Sequence, residues 1–203
     1  SSAASDVYKR QTLQGIGKKI ALAGLIFGLA LSACGKAPEP AAGNGFLPGA
    51  PAPAKGCGEN GYLETTIYGV LEGSIQWSAG SLDCEGMPRP ANEGARLRFA
   101  GLADDIRIAF IIAIPGLERG APGTELPSNV TVIEEGSGRF FSTAGQENCW
   151  SDIEKNAPLP ETPGTFSVVG TLYCIAPLIE VNGDSSVSLQ EMKFAGLLDW
   201  GDA

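Results

Sequence analysis

Over residues 57–203 the chain is cut every few positions by glycine, proline or asparagine, and the pieces between the cuts are strand-sized. That punctuation leaves no room for long helices and sets the fold class. Residues 63–70 (LETTIYGV) are rich in Thr, Ile and Tyr, and 73–77 form the expected hairpin partner across a short turn. Residues 95–100 alternate, with Leu97 and Phe99 on one face and Arg96 and Arg98 on the other. The run 106–114 (IRIAFIIAI) is apolar almost throughout, as in a strand covered on both faces, and Pro115-Gly116 ends it. Segments 130–134 and 139–142 flank Glu135-Gly136-Ser137-Gly138, which reads as a hairpin turn, and 166–175 is a further apolar run. Segments 179–181 and 187–197 flank a second turn at Asn182-Gly183-Asp184. About eight short strands predict an all-β domain, a two-sheet antiparallel β-sandwich. Helix is expected nowhere beyond a single turn over 148–155, and CEGMPRP at 84–90 reads as a Pro-rich loop with Arg89 projecting from it.

Five cysteines are present, and four of them, Cys57, Cys84, Cys149 and Cys174, fall within this domain. An even number in an exported domain predicts two disulfides, for which three pairings exist. The pairing Cys57–Cys84 and Cys149–Cys174 is favoured, because each bond then links one half of the domain to itself. A zinc site made of the four thiolates is the weaker reading, since no close CxxC pair occurs.

The segments ahead of the domain carry a different message. The head 1–11 (SSAASDVYKRQ) reads as a translated adapter rather than native protein. Over 12–33, Lys18-Lys19 precede the apolar run 20–31, which is too short to cross a membrane as a helix, and small residues follow. Leu31-Ser32-Ala33-Cys34 then resembles the lipobox of bacterial lipoproteins. The resemblance implies a signal peptide cut before Cys34, a diacylglycerol on its sulfur, an acylated new amino end and, with Gly35 next rather than Asp, the outer membrane. At about 0.8 kcal/mol per buried CH₂, two or three acyl chains hold a protein on a bilayer. Segment 34–56 is rich in Ala, Pro and Gly and is expected to be a disordered tether, with Phe46 and Leu47 its only candidates for packing.

The chain contains no histidine. That excludes Ser-His-Asp and Cys-His pairs, an HExxH zinc site and a His general base. From Cys34 onward 10 basic and 22 acidic residues give a net charge of 10 − 22 = −12, against −9 for the whole chain. That balance argues against nucleic acid as a partner. No serine sits in a GxSxG elbow, and Gly136-Ser137-Gly138 lacks the Lys of a phosphate loop. The sequon Asn129-Val130-Thr131 has no expected role in a bacterial lipoprotein. The neighbours Asp104-Asp105 and Glu134-Glu135 keep a two-carboxylate hydrolase formally open.

One segment partly fits a calcium loop. In 180–191 (EVNGDSSVSLQE), Glu180, Asn182, Asp184, Ser186, Ser188 and Glu191 fall at positions 1, 3, 5, 7, 9 and 12. Ser185 stands where that loop needs glycine, Glu180 replaces the usual Asp, and a plain β-turn explains the same residues more cheaply. Of the large aromatics, Trp77 is expected in the core, Trp150 on the Cys149 disulfide, and Trp200 at the surface. The segments CEGMPRP, ELPSNVTVIEEGSGRFFST and LYCIAPLIEVNGDSSVSL together resemble a group of proteobacterial lipoproteins with no established activity. The likeness spans most of 57–200 and implies a lipoprotein, but no mechanism. These readings converge on a non-catalytic binding or assembly module, anchored in the outer membrane through acylated Cys34, facing the periplasm or cell surface, with an envelope protein as partner. A calcium or small-ligand protein without other cofactors is the alternative.

Overall fold

The computed structural model describes residues 54–145 and 147–201. The head, the signal-like segment, Cys34 and most of the expected tether, with Phe46 and Leu47, lie outside the described residues. The strands are β1 (Ala54–Lys55), β2 (Tyr62–Gly69), β3 (Gly73–Ser78), β4 (Leu82–Pro88), β5 (Ala95–Ala103), β6 (Ile106–Ile114) and β7 (Gly123–Glu135). After these come β8 (Arg139–Ser142), β9 (Cys149–Pro158), β10 (Thr165–Cys174), β11 (Leu178–Glu180), β12 (Ser186–Leu189) and β13 (Met192–Asp199). A 3-10 turn at Pro90–Asn92 is the one helical feature among the described residues.

The domain is all-β and antiparallel, as the punctuated sequence predicts, but it has 13 strands instead of about eight. Part of the excess comes from breaks within long lanes. Strands β8 and β9 both pair with β7, and β12 and β13 both pair with β2, separated by Gln190-Glu191. Likewise β10 and β11 are separated at 175–177, where Pro177 has no N–H to give to a ladder. The rest comes from strands the sequence did not announce. The Pro-rich segment 84–90 is mostly β4, which buries Leu82, Cys84, Gly86 and Pro88 and exposes Asp83 and Glu85. The segment expected to hold a helical turn is β9, paired along its length with β10. Strand pairing also begins at Ala54, which lies opposite Gly86.

From β4 to β13 the chain is a meander, and the β2–β3 hairpin joins it through β2 against β13. The sheet folds over on itself, so that β4–β7 form one layer and β3, β2, β13, β10 and β9 the other. Between them lies a core of Phe99, Phe110, Phe141 and Phe194, all fully buried. Phe99 on β5 meets Phe194 on β13 at 5.6 Å, and Trp77 on β3 stands edge-to-face on Phe110 of β6 at 5.8 Å. Such pairs add about 0.5–1.5 kcal/mol each beyond burial. At one corner the layers touch backbone to backbone: a Cβ on Gly86 would lie 2.1 Å from the Leu197 carbonyl oxygen. Glycine is required there by close approach.

Both disulfides form with the favoured pairing. Cys57–Cys84 ties the chain entering β2 to β4, and Cys149–Cys174 joins register partners on β9 and β10. Trp77 is buried as expected. Trp200 is buried too, against expectation: its main-chain N–H bonds the Gly164 carbonyl at 2.9 Å and so extends the β10–β13 ladder past Asp199. Trp150 stacks on Tyr173 rather than on the disulfide, since successive strand residues point to opposite faces.

Candidate functional site

The site is built on β3, where the β2–β3 turn and the β5–β6 turn come together beside it. On β3 the side chains alternate: Ile75 and Trp77 are buried, Ser74, Gln76 and Ser78 exposed. Trp77 anchors the strand by donating its indole N–H to the Leu102 carbonyl at 2.7 Å. A turn closed by the Ser81 N–H on the Ser78 carbonyl at 2.8 Å then carries the chain to β4 in the other layer. Among the described residues β3 pairs with β2 alone. Its far edge therefore presents main-chain donors and acceptors with no strand opposite them, which is a template for another strand.

Beside that edge the two layers part to leave an apolar slot of about 260 Å³. Ile67, Leu71, Ile75 and Ile108 form its floor, while Val70 and Ile106 stand at its rim, 46% and 42% exposed. The β5–β6 turn shapes the other wall, where Asp104 takes a left-handed φ of 52°. Glu72 and Asp104 line the mouth and give it negative charge. An extended segment could pair with β3 through its backbone and place an apolar side chain in the slot.

A second hollow, of about 610 Å³, lies over the outer face of β10 and β13. Val169, Ala195 and Leu197 form its floor, and Glu59, Lys155 and Glu161 its rim. Burial, followed by Glu64 and Glu154, pushes the Tyr62 phenol in its wall above the ordinary value.

The calcium-loop residues do not form one cage. Residues 181–185 are the turn of the β11–β12 hairpin, with Asn182 at a left-handed φ of 65°. Glu180 accepts a hydrogen bond from the Ser185 hydroxyl, and its own N–H bonds the Ser185 carbonyl at 2.9 Å. Ser186 and Ser188 lie on β12, facing strands rather than the turn. Glu191 comes after the extended run of β12, roughly 16 Å beyond Ser186 at the usual strand rise. It lies in a separate polar hollow with Glu64 and Lys193. No group of three or more His, Cys, Asp or Glu side chains converges among the described residues.

Of the acidic neighbours, Asp104-Asp105 form the β5–β6 turn and Glu134-Glu135 serve the sheet. Glu135 on β7 pairs with Arg98 at 2.5 Å and Arg107 at 2.8 Å, and Arg107 also reaches Asp83, so one chain of charges crosses β4 to β7. Glu134 pairs with Arg139 at 2.6 Å. Sequence reasoning gave neither the β3 edge nor its slot. The signal available was the alternation over 73–78 followed directly by a turn. Compared with protein-family models, curated proteins and solved structures, the chain matches none.

Proposed function

We propose that this protein is a lipid-anchored binding or assembly module of the bacterial outer membrane, without catalytic activity of its own. Its domain takes up an extended, apolar segment of an envelope protein along the free edge of β3. The observation that carries this reading is that edge beside an apolar slot with exposed Val70 and Ile106 at its rim. Edge-strand addition draws affinity from main-chain hydrogen bonds and specificity from pockets for alternate side chains. The acidic mouth favours a segment with Lys or Arg beside its apolar residue. The lipobox-like Leu31-Ser32-Ala33-Cys34 supports the anchor, and the Ala/Pro/Gly stretch after it supports a tether that sets the reach of the domain.

The anchor and the edge are tested separately. Cys34→Ala is expected to release the protein from the membrane fraction and remove the acyl mass; a membrane-bound variant of unchanged mass contradicts the anchor. Ser74→Lys with Gln76→Lys places charge along the open edge, a device that opposes strand addition. The double variant is expected to keep the β-sheet circular dichroism of the parent and lose the envelope protein that co-purifies with it. Undiminished co-purification would overturn the edge reading.

A further inference from the structure

The outer face of β9 and β10 carries a second surface, remote in sequence from β3. Trp150 and Tyr173 are register partners there, their ring centroids 5.8 Å apart and their planes 22° from parallel. Both remain partly in water. Exposed Pro127 of β7 lies opposite Trp150 on its other side, and Ile175, two residues past Tyr173, is 71% exposed. Large aromatics left on a sheet face, while four phenylalanines fill the core, are the residue types that interfaces concentrate.

Two carboxylates flank the rings. Asp152 lies two residues from Trp150 on the same face of β9, and its Oδ1 accepts the Glu125 N–H at 2.6 Å. Glu125 sits where the β7–β9 register shifts between Gly123 and Leu126, at a φ of 51° that non-glycine residues rarely adopt. Bulges of this kind re-aim side chains, and strain held in place marks functional positions. Neither carboxylate has a cationic partner among the described residues, although Asp83, Glu134, Glu135 and Glu191 all do. Loss of solvation, then the charges of Glu125 and Asp152, push the Tyr173 phenol above its ordinary value.

We infer that this surface binds an arginine side chain presented by a partner protein, the guanidinium plane lying against Trp150 and Tyr173 and its N–H groups on Glu125 and Asp152. Charge complementarity selects a cation, and the aromatic pair selects the planar one: guanidinium stacks on rings and forks onto carboxylates, whereas ammonium is a compact, strongly hydrated point charge. The inference does not depend on the β3 edge.

The test follows the indole ¹H–¹⁵N signals of the full chain while a capped Gly-Arg-Arg-Gly peptide is added, with its lysine and citrulline counterparts in parallel. The Trp150 signal is expected to shift saturably with the arginine peptide, several-fold more weakly with lysine and not at all with neutral citrulline. Glu125→Gln and Tyr173→Ala are each expected to weaken the arginine response about threefold to tenfold. Unchanged Trp77 and Trp200 signals would show that both variants are folded, and the Ser74→Lys/Gln76→Lys protein is expected to bind like the parent. No saturable shift, an equal response to lysine, or a response indifferent to both substitutions would overturn the inference.

Discussion

At Gly86 a single hydrogen atom decides how closely the two layers meet. A methyl there would press on the Leu197 carbonyl oxygen at 2.1 Å and on the Leu198 Cα at 2.8 Å, both backbone atoms that cannot rotate away. Gly86→Ala is therefore expected to cost about 3 kcal/mol, the upper part of the overpacking range, read from the urea midpoint of unfolding. A midpoint within error of the parent would show that β4 and β13 can separate freely. At Glu134 the decisive property is charge. The hydrogen bond from Arg139, then that from Ser137, holds its carboxyl below the usual range. A depressed folded value contributes stability that is complete above the unfolded value of about 4.3 and is lost as pH falls through the folded one. Parent and Glu134→Gln are thus expected to differ by a constant amount above pH 5 or so, and to converge as the medium is acidified below that. A gap that widens on acidification would reverse the sign of the account.

Strands were legible in the sequence where their alternation ran between apolar and polar side chains, and illegible where it did not. Residues 95–100 and 106–114 announced β5 and β6 through Leu97, Phe99 and the Ile-rich run. In β9 the inward positions include Ser151 and Asn156, which are buried through hydrogen bonds rather than hydrophobicity. Ser151 shares a bond with the Ser128 hydroxyl at 2.8 Å, and Asn156 donates to the Glu118 and Ala121 carbonyls. Only partners far along the chain make such residues suitable for a core, so no local pattern could have marked the strand. In β4 the alternation of Leu82, Cys84 and Gly86 was present, but the prolines after Met87 masked it. The favoured disulfide pairing was readable because each bond closes a local loop, 27 and 25 residues in span. Replacing Cys149 and Cys174 together by Ala is expected to lower stability by about 3 to 4 kcal/mol, the loop-closure value for that span, measured by denaturant unfolding. A loss under about 1 kcal/mol would mean that the β9–β10 ladder holds this corner without the bond.

At the scale of the molecule, the fold closes most of its edges and, among the described residues, leaves β3 as the longer of the two strands that end the sheet, the other being the two-residue β1. The sheet turns back on itself through the β7–β9 pairing, and β1 covers β4 at Glu85 and Gly86, whereas β3 has no strand beyond it among the described residues. Edge strands invite aggregation, and here the exposed side chains Ser74, Gln76 and Ser78 are polar but uncharged. They neither drive association by hydrophobicity nor block pairing by charge, which suits an edge kept for one partner. The chain's net charge of −9 opposes self-association through general repulsion.

The most direct measurement is an in-cell photocrosslinking scan of the full chain. A photoreactive residue is placed in turn at Ser74 and Gln76 on β3, and at Glu85 and Arg96, exposed on β4 and β5 of the opposite layer. Crosslinks from both β3 positions to neighbouring residues of one extended segment of an envelope protein, with none from the control positions, are the expected result. Crosslinks spread evenly over all four sites, or absent from β3, would contradict the claim that this edge is where the protein receives its partner.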